Sequence, residues 1–225
     1  MSETPFAPRF RFMGERSLLV ELGERIDPEA NRRVERLLRR LEQEAWPGIR
    51  ELSPGYRSLL VVFDPLAIPP AELPGRIQAL GAAAGEGRRP PAKRIAVPVF
   101  YGGDHGPDLA EVARRLGMSE EAVIRLHGSV SYRVYMIGFT PGFPYMGELP
   151  EALSLPRRST PRTRVPKGSV AIAQRQTGIY PVESPGGWHL IGWTPLELFH
   201  PERRPACLLE MGDEVRFVAV EAREE

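Results

Sequence analysis

The stretch Gly138-Phe-Thr-Pro-Gly-Phe-Pro-Tyr-Met-Gly147 is the most informative part of this 225-residue sequence. Similar Pro/Gly-rich segments follow it, namely Pro161-Arg-Thr-Arg-Val-Pro-Lys167, Gln176-Thr-Gly-Ile-Tyr-Pro181 and Ser184-Pro-Gly-Gly-Trp188. Glycine supplies backbone angles that other residues resist, and proline fixes its own torsion and removes a hydrogen-bond donor. The composition therefore predicts a loop-rich site with one specific irregular path, in place of a regular core.

Aromatic side chains are spread through these segments: Phe139, Phe143, Tyr145, Tyr180 and Trp188. A rigid loop that carries such rings beside cations is typical of an apolar pocket with an anion-binding rim. The alternative interpretation is a Pro/Gly-rich surface connection with solvated arginines, in which the Trp188 ring only fills the interior of a barrel.

The same region is locally basic. Prolines bracket Arg158 and Arg162 and limit their backbone freedom, which makes this pair the leading candidate for contact with an anion. An arginine fork matches a carboxylate or phosphate, and each shielded charged hydrogen bond contributes about 1.5 to 3 kcal/mol. Solvated arginines contribute almost nothing. Between Gly138 and Gly192 the cations are Arg157, Arg158, Arg162, Arg164, Lys167 and Arg175, against Glu148, Glu151 and Glu183.

The whole chain shows no comparable charge bias. Its 30 Lys plus Arg nearly balance its 29 Asp plus Glu, so the formal charge of +1 gives no global attraction to nucleic acid or to an anionic membrane. Two predicted helices around Gly117 resemble a helix-turn-helix, but the second begins Ser119-Glu120-Glu121, with carboxylates where phosphates would approach. We therefore expect neither a nucleic-acid partner nor a membrane partner.

Several common catalytic patterns are missing from the sequence. It contains no Gly-Lys-Ser/Thr phosphate loop, its four histidines lack the spacing of a zinc site, and no serine has an evident base. His127 precedes Gly128, where an imidazolium would interact favourably with the carboxyl end of a helix. A single cysteine, Cys207, in an apolar run and an amino terminus without signal-peptide features indicate a cytoplasmic protein.

Hydrophobic periodicity divides the chain into two parts. The first predicts a small α+β unit, with strand pairs at Phe10–Met13 with Leu18–Leu22 and at Ile49–Leu52 with Leu59–Phe63, each pair followed by a helix. The second of these helices reaches about Ala84. Gly85-Glu-Gly-Arg-Arg-Pro-Pro-Ala92 has the composition of a linker. Beyond a strand at Arg94–Tyr101 and two helices, short apolar segments alternate with turns, which predicts a β-barrel or a compact sandwich.

These motifs, together with Val97-Pro-Val-Phe-Tyr-Gly-Gly-Asp104 and Gly106-Pro-Asp-Leu109, resemble the family variously labelled 5-oxoprolinase B subunit, Kip-type sporulation-kinase inhibitor and allophanate hydrolase subunit 1. The resemblance is dense from about Val97 to Pro201. It implies an α+β fold class, with a small α/β amino-terminal domain over residues 1–88 and a cyclophilin-like β-barrel domain over residues 93–225.

The resemblance also implies a function that depends on other chains. Its leading form is the B subunit of a 5-oxoprolinase that opens 5-oxoproline to glutamate with 5-oxoprolinase subunits A and C, using ATP at a site shared with one of these partners. One alternative is an inhibitor that binds a sporulation histidine kinase, and another is a carboxyltransferase-region subunit of a urea carboxylase-like enzyme. The sequence leaves these open, because each places its partner outside the chain.

The candidate ligand-binding residues combine cations for developing negative charge with rings that shape a pocket. No catalytic residue is assigned, and no metal-ligand set is expected. The candidates are Arg157, Arg158, Arg162, Lys167, Phe143, Tyr145, Gln176, Thr177, Tyr180 and Trp188.

Overall fold

The computed structural model describes residues 7–25, 27–82 and 92–221. The chain divides into two compact units, Met1–Pro91 and Ala92–Glu225. Except for Ala92, the predicted linker lies outside the described residues, as does the predicted end of the second helix at Ala84.

The first unit is a four-stranded antiparallel sheet with two helices, and its elements follow in the order that the sequence predicts. They are β1 (Arg9–Phe12), β2 (Ser17–Glu21), α1 (Pro28–Glu44), β3 (Ile49–Pro54), β4 (Ser58–Phe63) and α2 (Leu73–Ala82). The strands lie in the order β1-β2-β4-β3 across the sheet, and α1 packs against β3, β4 and α2.

Helix α1 shows how local signals build this unit. The Asp27 side chain caps the helix by accepting hydrogen bonds from the backbone N–H groups of the first turn, and Pro28 supplies a pre-set first helical residue. Val34, Leu37 and Leu41 recur at helical spacing and are buried. The helix ends at Ala45, whose φ of 44° turns the chain into the left-handed region.

The second unit is mainly β-structure with two helices. Its elements are β5 (Arg94–Tyr101), α3 (Leu109–Leu116), α4 (Glu120–Gly128), β6 (Tyr132–Ile137), β7 (Pro144–Gly147), a 3-10 helix (Glu151–Leu153), β8 (Arg162–Val165), β9 (Ser169–Ala173), β10 (Gln176–Ile179), β11 (Ser184–Gly186), β12 (His189–Trp193) and β13 (Glu214–Ala219).

Seven of these strands form a closed barrel in the order β10-β7-β6-β13-β5-β12-β9, and β8 and β11 form a separate two-stranded ribbon. This confirms the predicted α+β class with a barrel and decides between a barrel and a sandwich. The closed barrel also fits the cyclophilin-like expectation.

The two helices of this unit pack against the barrel, α3 against β12 and α4 against β13. Strand β13 pairs in parallel with β5 over six residues and antiparallel with β6, so the last strand closes a gap between two early ones. The main apolar core includes Val97, Tyr132, Val134, Ile172 and Phe217, all buried. This core fixes the strands whose ends carry the candidate residues.

The expectation of an irregular path through the Pro/Gly-rich segments was wrong for β7, β8, β10 and β11, which are strands. Proline is tolerated in these strands because of its position, and glycine because of close packing. Pro144 is the first residue of β7, where its missing N–H does little harm. Gly178 lies within β10, and a Cβ at this position would come within 2.8 Å of the Phe143 ring. Gly178 is therefore required by close packing within a strand, whereas the sequence pattern predicted a loop.

Gly106 is the sharpest test of this packing. A Cβ atom at Gly106 would collide with the backbone carbonyl of Ile191 in β12. We expect Gly106→Ala to destabilise the protein by about 3 kcal/mol, because backbone must move to admit the methyl group. Gly187→Ala is the matched control, since its Cβ would meet only Pro161 at 3.6 Å or more, and it should change stability by less than about 0.5 kcal/mol. Urea unfolding followed by tryptophan fluorescence measures both, and equal effects would contradict the assignment.

Candidate functional site

Arg158 and Arg162, the leading anion-binding candidates, are both held by the buried carboxylate of Asp108. Arg162 forms a bidentate pair with it, with Nη1 to Oδ2 at 2.8 Å and Nη2 to Oδ1 at 2.7 Å. Arg158 donates from Nη1 to Oδ1 at 2.9 Å. The two guanidiniums remain about one quarter exposed, whereas the Asp108 side chain is only 4% exposed. Asp108 therefore fixes the position of both cations.

The backbone places Asp108 at this point. Its N–H donates to the carbonyl of Leu190, and the N–H of Leu190 donates back to Oδ2 at 2.7 Å, so the start of α3 is tied to β12. Burial alone would raise the pKa of Asp108. The hydrogen bonds from Arg162 and Leu190 and the nearby positive charges outweigh burial and hold the pKa below its usual value.

Arg157 differs from its two neighbours. It is exposed and has no carboxylate partner within residues 7–25, 27–82 and 92–221. Its charge reaches the hydroxyl groups of Tyr145 and Tyr180, where it opposes the effect of burial on their pKa values. The guanidiniums of Arg158 and Arg162 face one carboxylate, that of Asp108, and Arg157 adds its charge near Tyr180, on which Arg162 also acts. The surroundings keep an excess of positive charge after Asp108 is counted.

The aromatic candidates form one packed cluster, which we call the aromatic cluster: Phe139, Phe143, Tyr145, Tyr180 and Trp188. The Phe143 ring is its centre and meets the other four rings edge-on at centroid distances of 4.8 to 5.7 Å. Edge-to-face packing of this kind is the favoured geometry for aromatic pairs. Phe143, Tyr180 and Trp188 are buried, so only Tyr145 and Phe139 present substantial surface to solvent.

The Tyr180 hydroxyl lies beneath the ribbon strand β11. A Cβ at Gly186 would collide with it, and the backbone of Trp188 forms a hydrogen bond to it. Burial raises the pKa of Tyr180 to about 12, so this hydroxyl stays protonated near neutral pH. Burial also raises the pKa of Tyr145, which remains half-buried.

The loop that carries Phe139 is strained and closed by its own backbone. The N–H of Thr140 donates to the carbonyl of Gly138, which makes a γ-turn centred on Phe139 with φ of 67°. Pro141 and Gly142, the latter with φ of 81°, form the following β-turn, and Gly138 bonds back to Phe143. A bulky residue at positive φ costs on the order of 1 to 3 kcal/mol. Even so, the Phe139 ring is 61% exposed.

The other predicted cations form exposed ion pairs: Lys167 with Glu197, Arg164 with Glu183 and Arg175 with Glu148. Pairs of this kind contribute little to stability. Gln176 is half-buried at the start of β10. Of the predicted set, the structure brings Arg157, Arg158 and Arg162 together near the aromatic cluster. Lys167 is instead paired with Glu197.

Thr177 belongs to a buried hydrogen-bond chain. Its hydroxyl donates to the carbonyl of Ala171, so it accepts from Nε2 of His127 at 2.9 Å. The other ring nitrogen, Nδ1, then accepts from the Tyr101 hydroxyl at 2.7 Å. Burial lowers the pKa of His127 to about 3, and its ring stacks on Phe217. The predicted imidazolium at the helix end was therefore wrong: the ring is neutral because it is completely buried.

The described residues provide neither a metal-binding group of side chains nor a membrane-spanning helix. Within the described part of the chain, no three His, Cys, Asp or Glu side chains are grouped so that they could hold a metal ion. None of the helices described has the length and apolar character to cross a bilayer.

Sequence reasoning missed Asp108. The sequence offered Gly106-Pro-Asp-Leu109 only as part of the family resemblance, and in the structure the Asp108 side chain makes no capping hydrogen bond. That acid is separated from Arg158 by 50 positions and from Arg162 by 54. The one available signal was a short acidic residue between a proline and an amphipathic helix, and it does not distinguish a cap from an ion-pair partner.

Comparison with known proteins agrees with this fold. A family model described as carboxyltransferase domain, subdomain C and D, matches residues 8–209. The 5-oxoprolinase B subunit of Escherichia coli O157:H7 is 44% identical over 213 residues, which cover 93% of this chain and 95% of that protein. The protein of the same name from Bacillus subtilis (strain 168) is 37% identical over 222 residues, covering 94% and 92%. The chain belongs to the family of 5-oxoprolinase B subunits.

Solved structures of relatives extend this result. The crystal structure of TTHA0988 matches with a TM-score of 0.82 at 41% identity. The match covers 93% of this chain but 41% of TTHA0988, so this family member spans about two fifths of that longer chain. The urea carboxylase of Kluyveromyces lactis shares the fold, with a TM-score of 0.76 at 23% identity over 22% of its length.

The Asp108 network should dominate local stability in the second unit. Asp108→Asn leaves two partly buried guanidiniums without their counter-charge, and we expect a loss of about 3 kcal/mol in the free energy of unfolding. Glu197→Gln is the control, because it removes the exposed partner of Lys167 and should give no resolvable change. Thermal and urea unfolding measure both variants. A loss no larger for Asp108→Asn than for Glu197→Gln would show that the network is not a stabilising centre.

The buried His127 should make stability fall in acid. Its pKa is about 3 in the folded chain and about 6.5 when unfolded, so below pH 6.5 only the unfolded chain gains this proton. The resulting loss is up to about 1.4 kcal/mol for each pH unit, and it is absent above pH 6.5. His127→Gln should remove this component while the titration of other groups continues. Unfolding in urea at pH 7 and pH 5 tests it, and identical pH slopes in the two proteins would contradict the assignment.

Proposed function

We propose that this chain is the B subunit of a 5-oxoprolinase that converts 5-oxoproline to glutamate with ATP, acting with subunits A and C. The identity of 44% and 37% to two proteins named as 5-oxoprolinase B subunits, over nearly the whole chain, is the observation that carries the proposal. The chain then acts as a non-autonomous part of the enzyme, and we place it in the cytoplasm, where ATP is available.

The proposed ligand-binding surface combines Arg157 with the fixed pair Arg158 and Arg162, beside the aromatic cluster. The pair Arg158 and Arg162 carries one more positive charge than Asp108 cancels, and Arg157 adds another near Tyr180, an arrangement suited to a substrate carboxylate or a phosphoryl group. Asp108 keeps two of the cations rigid, so they need little reorganisation when an anion arrives. The exposed Arg157 provides a donor group that no carboxylate of the described residues engages.

The chemistry that such a surface would support is activation of a stable lactam. Transfer of the terminal phosphoryl group of ATP to the lactam oxygen releases ADP and makes the ring carbon susceptible to water. Attack by water, loss of phosphate and cleavage of the ring C–N bond then give glutamate. Negative charge develops at the lactam oxygen and at the phosphoryl group, where cations stabilise it. In this proposal ATP occupies a composite site to which another protein of the complex contributes.

A second candidate, a subunit of a carboxyltransferase, is favoured by the description of the matching family model. The urea carboxylase likeness supports its fold only. The two candidates place different reactants at the same surface. Formation of glutamate from 5-oxoproline, measured with and without this chain, separates them.

Arg157→Ala tests the proposed surface within the reconstituted complex of subunits A, B and C. We expect glutamate formation from 5-oxoproline and ATP to fall about 10- to 100-fold in kcat/KM, because one shielded charged hydrogen bond is lost. Stability should not change, since Arg157 is exposed and unpaired within the described residues. Arg162 is a poorer probe, because its removal also unpairs Asp108.

Arg164→Ala is the matched control, because Arg164 is an exposed arginine of the neighbouring ribbon that pairs with Glu183. Its activity should equal that of the unmodified complex. Full activity of Arg157→Ala would remove the site assignment. Glutamate formation that is complete without this chain would remove the proposed function itself and favour the regulator that binds a histidine kinase.

A further inference from the structure

Phe139 occupies an unusual position for a large apolar residue. Within the described residues of the second unit, it is the one exposed aromatic ring among the large hydrophobic side chains, at 61% exposure, and its backbone has φ of 67°. Exposure of the ring and a strained backbone both oppose this placement during folding. Phe139 is thus unfavourable for stability in two ways, through its exposed ring and its positive φ. Its presence there points to a role in binding another molecule and not in folding.

The loop around Phe139 is rigid by construction. Backbone hydrogen bonds from Thr140 to Gly138, from Phe143 to Thr140 and from Gly138 to Phe143 close it from within. Gly142 packs against Phe199, where a Cβ would come within 2.7 Å of the Phe199 Cβ. Little conformational entropy is therefore lost when another surface covers the ring, which is the property of a pre-organised interface anchor.

The Phe139 ring also extends the aromatic cluster to the protein surface. It meets Phe143 edge-on at 5.7 Å, and Phe143 meets Tyr145 at 4.8 Å. Arg157, the exposed cation, acts on Tyr145 from the same neighbourhood. An aromatic anchor beside an arginine with no carboxylate partner among the described residues matches the composition of protein–protein interface cores, where aromatic residues and arginine are enriched.

The comparison with TTHA0988 indicates what kind of partner a chain of this family has. This chain matches 41% of that protein, so more than half of the TTHA0988 chain is additional polypeptide joined covalently to an equivalent of this chain. Covalent joining makes association intramolecular and keeps the joined parts together at high effective concentration. A separate chain that corresponds to the additional part is then the natural partner for a free-standing B subunit.

We infer that the exposed Phe139 ring, with its γ-turn, is the anchor by which this chain docks on the C subunit of the same complex. The partner surface carries an apolar pocket for the ring, and Arg157 stays available to the anion of the proposed ligand-binding surface. This inference rests on the proposed function, because it takes the C subunit from there. It adds the location of the contact and the residue that dominates it.

The test compares binding of the purified C subunit to the full-length chain and to Phe139→Ala and Phe139→Gly, by calorimetry and without ATP. Both variants should bind at least tenfold more weakly, equivalent to about 1.4 kcal/mol. Leu66→Ala, which removes a 96% exposed leucine of the first unit, should bind like the unmodified chain. Thermal unfolding of Phe139→Gly should show no loss of stability, because glycine relieves the positive φ.

Unchanged affinity of both Phe139 variants, with normal binding by the unmodified chain, overturns this inference and leaves the proposed function intact. A complete lack of binding by the unmodified chain overturns both. A raised KM for 5-oxoproline at unchanged affinity for the C subunit also overturns the docking assignment, and it moves Phe139 to the ligand surface. Lower thermal stability in both variants, in proportion to the lost affinity, would overturn it as well and mark Phe139 as a folding residue.

Discussion

The carboxylate of Asp108 joins the start of α3, the Arg158 segment, the ribbon strand β8 and the barrel strand β12 through four hydrogen bonds. A buried carboxylate is expensive unless such partners satisfy it. Each segment therefore supports the position of the others. If one of these hydrogen-bond donors is lost, the buried Asp108 carboxylate is no longer fully satisfied. The location of both fixed arginines, and the seating of the ribbon beside the aromatic cluster, depend on this one acid.

Most helices and the larger strands were predictable, because their signals are local. Asp27 followed by Pro28 caps α1 directly, and the apolar spacing of Val34 and Leu41 marks the face that is buried. The four strands in Pro/Gly-rich sequence were missed for the opposite reason. Gly178 is needed because the Phe143 ring lies above it, and this ring arrives from another part of the chain. No periodicity within β10 contains that information.

The candidate site was predicted in its residue types and missed in its partnerships. Cations and rings were recognisable from the sequence, but the pairing of Asp108 with Arg162 spans 54 positions and only the fold creates it. His127 shows the same limit. Its place near a helix end favoured a charged ring, whereas complete burial and two neutral hydrogen-bond partners decide for the neutral form. Burial outweighs the helix dipole here. Desolvation opposes the full charge of the imidazolium, whereas the helix end attracts it with only a partial charge.

The acid at the centre of a basic surface has a physical justification in the proposed site. Without Asp108, the guanidiniums of Arg158 and Arg162 would repel one another and spread apart, and an incoming anion would have to draw them together at an entropic cost. With Asp108, the surface loses one unit of positive charge, but Arg158 and Arg162 are already in place, and a net positive charge remains. For an anion whose charge develops only during the reaction, fixed donors are worth more than a larger and mobile charge, because a mobile charge must reorganise at the moment of reaction. Asp108 cancels one positive charge and fixes the guanidiniums of Arg158 and Arg162. The surface is therefore better suited to stabilising a charge that develops during the reaction than to attracting anions in general.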